Sequence, residues 1–86
     1  MMKRSKLELY IDVLRVIKKG QSKPTRIMYS SNLSWNPLKE ALDLLESQRA
    51  ITSKTDGDRK QYFITEKGRS VIEQFDTVEV MLRERS

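Results

Sequence analysis

The chain has 86 residues, with 17 Lys/Arg, 12 Asp/Glu, a formal net charge of +5, and neither Cys nor His. That length holds one domain with a modest core, for which oligomerisation is a common remedy. The missing Cys and His remove disulfides, zinc sites of the usual ligand types and His-based catalysis. No apolar run approaches the roughly 20 residues that span a bilayer.

The charge is uneven: +6 over residues 1–34, −1 over 35–50, +2 over 51–69 and −2 over 70–86. A polyanionic partner is the simplest reading, although a lysine-rich soluble surface accounts for the charge equally well. Residues 1–5 read as a frayed basic arm. The basic-then-apolar start is not a signal peptide, because Glu8, Asp12 and Arg15 interrupt its apolar residues.

A first helix is predicted over about Lys6–Lys19. Leu7, Tyr10, Ile11, Leu14 and Ile17 recur at helical steps and form its core face. Leu9, Val13 and Val16 widen that stripe, which makes this the central helix. Ser5 with Glu8 three residues on is a capping-box pattern. Lys18 and Lys19 suit the negative helix end, and Gly20 suits a left-handed cap. Residues 21–23 are a connector or a very short strand.

A second helix spans about Pro24–Ser31, burying Ile27, Met28 and part of Tyr29. Asn32 suits a left-handed turn, and Leu33 plugs the gap before the next helix. That third helix runs about Trp35–Gln48, with Ser34 as an N-cap whose hydroxyl accepts a first-turn amide. Pro37 is tolerated in that turn, where no intrahelical bond is lost. Leu38, Ala41, Leu42 and Leu45 form its buried face. Asn36, Lys39, Glu40, Asp43 and Gln48 are left for the opposite side. Two such helices in succession form a helix-turn-helix, whose second helix is of the kind that enters a DNA major groove.

Asp56-Gly57 between two β-type runs, 50–54 and 59–64, signals a hairpin. Ile51 and Ser53 share one face of the first strand, and Tyr62 and Ile64 share one face of the second. One face must pack on the helices, because a two-stranded hairpin does not stand alone. A hairpin placed directly after a helix-turn-helix is a wing.

Thr65 caps a last helix that continues to about Arg83. Gly68 costs about 1 kcal/mol of helix propensity against Ala, which points to close backbone approach by a neighbouring helix. Val71, Phe75, Val78 and Leu82 are spaced 4, 3 and 4, a heptad seam flanked by Ile72 and Met81. A 20-residue helix is about 30 Å long, and a small domain covers only its first half. Val71, Phe75, Val78, Met81 and Leu82 are therefore expected at a homodimer interface.

Three segments carry a family resemblance: Lys23-Pro24-Thr25-Arg26-Ile27-Met28-Tyr29, Asn32-Leu33-Ser34-Trp35, and Tyr62-Phe63-Ile64-Thr65-Glu66-Lys67-Gly68. Together with the order of elements they make the chain resemble small archaeal winged helix-turn-helix proteins. The resemblance covers nearly the whole chain. The first two segments are its specific part, since Thr-Glu-Lys-Gly is common to many winged-helix proteins. It implies DNA binding and a dimer built on an antiparallel coiled coil of the last helices. Any such coiled coil is expected to be short here, because the tail stops soon after Leu82.

The expected fold is α+β and mostly α: a winged helix-turn-helix domain over 1–68 with a dimerisation helix over 65–86. The expected partners are double-stranded DNA and a second copy of the chain, with no metal, cofactor or membrane. Ser34, Asn36 and Lys39 are assigned to groove or phosphate contact. Asn36 is the best base reader, because an amide pairs bidentately with adenine; the competing reading is a solvated first-turn residue. Arg26 is divided evenly between phosphate and a surface salt bridge. Lys54, Arg59 and Lys60 bracket the wing tip and are assigned to phosphates. Trp35 is read as packing against the second helix rather than stacking on the DNA backbone. Glu40 and Asp43 oppose nonspecific affinity.

These assignments describe a transcription regulator in the cytoplasm, at the nucleoid. The alternatives are an architectural chromatin protein and a protein-binding winged-helix module. No catalytic constellation is visible, so no enzyme is expected.

Overall fold

The computed structural model describes residues 4–84. Six elements follow in order: α1 (Lys6–Lys18), α2 (Pro24–Ser31), α3 (Trp35–Ser47), β1 (Ile51–Asp56), β2 (Arg59–Ile64) and α4 (Glu66–Glu84). Helix α1 touches α2, α3, α4 and β2, so it is the central helix its wide apolar stripe predicts.

The capping box forms at its start. Ser5 Oγ accepts the Glu8 amide at 3.1 Å, and the Glu8 carboxylate accepts the Ser5 amide at 3.2 Å. Those bonds hold the Glu8 carboxyl below the usual carboxylate range. Ile11, Val13, Leu14 and Ile17 are buried. Leu7 departs from the expected core face: it is 57% exposed, because it lies on the terminal turn, beyond the end of the core. Gly20, one residue past the C-cap Lys19, takes φ +110 and turns the chain into the connector. The connector is no strand. A single bond from the Tyr62 amide to the Ser22 carbonyl, at 2.9 Å, ties it to β2.

Residues 1–3 of the predicted basic arm lie outside the described residues. Arg4, the next residue, is anchored rather than frayed. Its guanidinium donates to Asp12 at 3.0 Å and to the Ser31 and Asn32 carbonyls at 2.9 and 3.2 Å. It thereby satisfies the orphan carbonyls at the end of α2. Asn32 is left-handed there, at φ 56 and ψ 47. Ile27 and Ser31 are buried along α2, but Tyr29 is 77% exposed. Two residues on from Ile27, it points to the other side of the helix.

Leu38, Ala41, Leu42 and Leu45 are buried along α3 as their spacing predicts. Two expectations at its start are corrected. Ser34 holds the N-cap backbone conformation, but its hydroxyl makes no capping bond. Trp35 is 46% exposed, because it precedes the first core-facing residue, Leu38; Leu33 packs against the core before it. Arg49 ends this helix segment at φ 63, a left-handed turn at a residue that does not advertise one.

Strands β1 and β2 pair antiparallel from Ile51–Ile64 to Asp56–Arg59. The turn is Gly57-Asp58, one residue later than the Asp-Gly reading, with Gly57 at φ 65. Ile51 and Tyr62 are buried on the inner face, and Phe63 is 38% exposed on the other.

Thr65 caps α4, its Oγ1 accepting the Gly68 amide at 3.1 Å and donating toward the Arg49 and Ala50 carbonyls. Gly68 is buried by backbone, but the approaching neighbour is the Ala50 carbonyl at the entrance to β1, not a helix. Arg15 and Asp76 form a two-pronged ion pair joining α1 to α4. Ile72, a flank of the heptad seam, is the large side chain of α4 that is fully buried among the described residues. Val71 and Phe75 are half-buried, and Val78, Met81 and Leu82 are 54, 59 and 66% exposed. The core therefore covers only the proximal half of α4. Among the described residues no helix is long and apolar enough to cross a membrane.

Candidate nucleic-acid interface

The buried stripe of α3 leaves Asn36, Lys39, Glu40, Asp43, Ser47 and Gln48 exposed on its outer side. This face is an ordered charge array. Lys39 Nζ lies 3.0 Å from Asp43 Oδ2, a bond that raises the Lys39 pKa. Lys6 of α1 reaches Glu40 at 3.5 Å, and Lys60 of the wing reaches Glu46 at 3.9 Å. Each carboxylate of α3 thus has a cation beside it. Such exposed pairs are worth about 0–1 kcal/mol, so they exchange readily for another anion.

Two of the three residues assigned to the groove, Asn36 and Lys39, lie on different flanks. Asn36, Pro37 and Glu40 border a cleft of about 310 Å³ shared with Lys6, Leu9 and Tyr10 of α1. Lys39 is on the other flank, within electrostatic reach of Tyr62 in β2. Ser34 and Trp35 stand exposed at the helix start between them and α2.

The three wing cations do not share a face. Strand alternation puts Lys60 on the inner side with Tyr62 and Ile64, where its ammonium lies 5.4 Å from the Tyr62 ring centroid. Lys54 and Arg59 are on the outer side with Phe63, whose centroid is 6.0 Å from the Lys54 ammonium. The wing tip also leans toward the start of α2. Lys23, Pro24 and Thr25 line a groove of about 400 Å³ with Asp58, Arg59, Lys60 and Gln61. Lys23 is a residue that sequence reasoning missed. Its only local signal is a lysine before a helix-starting proline, and its proximity to Arg59 is purely tertiary. Arg26, one turn into α2, is exposed and forms no ion pair among the described residues, so the salt-bridge reading loses its partner.

This three-helix core with its β-hairpin matches a known family model, described as winged helix-turn-helix, over residues 3–83. The chain belongs to that family. A winged helix-turn-helix chain carries its polar second helix beside its wing, as α3 and β1–β2 are arranged here.

An uncharacterized protein of Methanocaldococcus jannaschii is 31% identical over 80 residues, covering 92% of this chain and 78% of its own. Sso10a-2, described as a DNA-binding protein from Sulfolobus solfataricus, is 33% identical in its crystal structure. Its TM-score is 0.77, over 95% of this chain and 88% of that one. Both relatives are archaeal, in line with the family resemblance. A PadR family transcription regulator from Clostridium difficile shares the fold at 18% identity. Its TM-score is 0.80, over 88% of this chain and 91% of that one. The chain is therefore a winged helix-turn-helix protein.

Proposed function

We propose that this protein binds double-stranded DNA as a homodimeric transcription regulator, with α3 in the major groove and the wing on the flanking backbone. The observation that carries the reading is a set of exposed cations on α2 and the wing that flank the helix-turn-helix. Lys23 and Arg59 share a groove between the start of α2 and the wing tip, and neither they nor Arg26 and Lys54 form an ion pair among the described residues. Cations so placed neutralise phosphates and release condensed counterions, at about 0.9 units of log–log salt slope per phosphate.

Asn36 reads a base edge, and Ser34 leaves the first amides of α3 open to a phosphate. Lys39, Lys54 and Lys60 add further backbone contacts. Helix α4 holds the second copy through Val71, Phe75, Val78, Met81 and Leu82. The predicted dimerisation element, 65–86, runs two residues past the described ones. The place of action is then the nucleoid. The S. solfataricus relative's description as a DNA-binding protein supports the same reading.

The test is duplex titration at about 50 and about 200 mM salt, with wild type and an Asn36→Ala/Lys39→Ala double variant. Binding that weakens steeply with salt, and weakens further in the variant, is expected. A variant that binds as well as wild type removes α3 from the site. No duplex binding even at low salt moves the protein to the interaction-module alternative.

A further inference from the structure

We infer that Glu46 of α3 is a positioning residue: its carboxylate fixes the wing against α3 and promotes duplex binding without touching the duplex. The inference rests on the DNA-binding reading above and adds to it the group that sets where the wing stands. Of the three carboxylates on α3, Glu40 and Asp43 are exposed and Glu46 is half-buried. Glu46 follows buried Leu42 by four residues, so it stands at the edge of the core-facing stripe. Its two oxygens go to the two strands of the hairpin. Oε2 accepts the Ser53 hydroxyl of β1, and Oε1 lies 3.9 Å from the Lys60 ammonium of β2. Both partners are on the inner face: Ser53 pairs with Tyr62, and Lys60 is two residues nearer the turn. The Lys60 ammonium is 5.4 Å from the Tyr62 ring centroid, so its side chain folds back from the turn toward α3.

The level of this tie along the hairpin is what makes it matter. Ile51 and Tyr62 are buried, whereas residues 54–60 are all exposed. The apolar core thus stops at the Ser53–Tyr62 pair, and a two-stranded hairpin has little stability of its own. A charge-assisted hydrogen bond to one strand and an ion pair to the other, both at that level, resist swing and twist of the exposed half. Lys54 and Arg59, the outer-face wing cations assigned to phosphates, ride on that half. Electrostatics alone gives Glu46 the opposite sign. A carboxylate next to a duplex repels phosphates, so a favourable effect of Glu46 on affinity comes only through the wing.

The experiment is duplex titration at about 50 mM salt with wild type, Glu46→Ala, Glu46→Gln, Ser53→Ala and Glu40→Ala, together with amide exchange of wild type and Glu46→Ala. Glu46→Ala removes both ties, Glu46→Gln keeps an oxygen for the Ser53 hydroxyl, and Ser53→Ala cuts one tie with no change in charge. Glu40→Ala removes the same charge from the same helix, but that carboxylate faces Lys6 of α1 and not the wing. Glu46→Ala should bind about tenfold more weakly, Ser53→Ala about threefold more weakly and Glu46→Gln within about threefold of wild type, whereas Glu40→Ala binds more tightly. Amides of the hairpin should exchange faster in Glu46→Ala while those of α1 keep their rates. Glu46→Ala binding as well as wild type, or more tightly in the manner of Glu40→Ala, overturns the inference and leaves DNA binding standing. A weakened Glu46→Ala whose α1 amides speed up as much as its wing amides also overturns it, because the loss is then one of global stability. A wild type that binds no duplex overturns the DNA reading itself, and this role of Glu46 with it.

Discussion

Gly68 lies directly against the Ala50 carbonyl: a Cβ added at position 68 would overlap the Ala50 oxygen and stand 2.7 Å from Ile64 Cγ1. That carbonyl has no freedom to retreat, since it accepts the Thr65 amide at 3.1 Å and the Thr65 hydroxyl at 3.0 Å. Two effects therefore compete in Gly68→Ala. Helix propensity favours Ala by about 1 kcal/mol, while overpacking against fixed backbone costs about 1–3 kcal/mol. The clash should win. The expected outcome is a net loss of up to about 2 kcal/mol, read as a melting temperature lower by about 4–8 °C per kcal/mol. A variant that melts at or above wild type would show that α4 slides away from Ala50 without cost.

The Arg15–Asp76 pair makes a prediction about acid. Its hydrogen bond is the main reason the Asp76 carboxyl is held below the usual carboxylate range. A carboxyl whose pKa is depressed on folding contributes stability that is complete above its unfolded value, about 3.9, and is lost as pH falls through the lower folded value. Asp76→Asn should therefore lower the denaturation midpoint near neutral pH and flatten its decline below about pH 4. Urea midpoints across that range measure both. Glu8 has the same sign through its bonds to Ser5, so some acid sensitivity should remain in the Asp76 variant.

The carboxylates of α3 bear on DNA selectivity. Glu40 and Asp43 repel phosphates and also engage Lys6 and Lys39. Glu40→Gln/Asp43→Asn should raise affinity for random-sequence duplex about tenfold at about 50 mM salt, and the gain should shrink as salt screens it. Anisotropy titrations at two salt concentrations give the answer. Unchanged affinity would put the outer face of α3 away from the duplex.

Lys23 and Arg59 share the groove beneath the wing tip. Each replaced by Ala should weaken binding to all duplexes alike and lower the salt slope by about 0.9. Asn36→Ala should instead alter which sequences are preferred, because a base-edge contact carries sequence information and a phosphate contact does not. A uniform loss in Asn36→Ala would make it a backbone contact.

Local chemistry and periodicity alone determined the elements of this protein. The Ser5–Glu8 capping box, the three- and four-residue apolar steps of α1 and α3, the left-handed Asn32, the Asp-Gly hairpin signal and the Thr65 cap all act within a few residues, and each appears in the fold within a residue or so. The stripe widths even identify α1 as the central helix. What the tertiary structure decided depends on distance in space. It left Leu7 beyond the end of the core, Trp35 before the first buried turn of α3 and Tyr29 on the outer side of α2. It drew Arg4 onto the end of α2, set the Ala50 carbonyl on Gly68, and split the wing cations between two faces while bringing Lys23 to Arg59. Apolar periodicity says which side of a helix is buried, but not where the neighbour covering it ends. Charge along a chain says nothing about which cations meet across a turn until the backbone has brought them together.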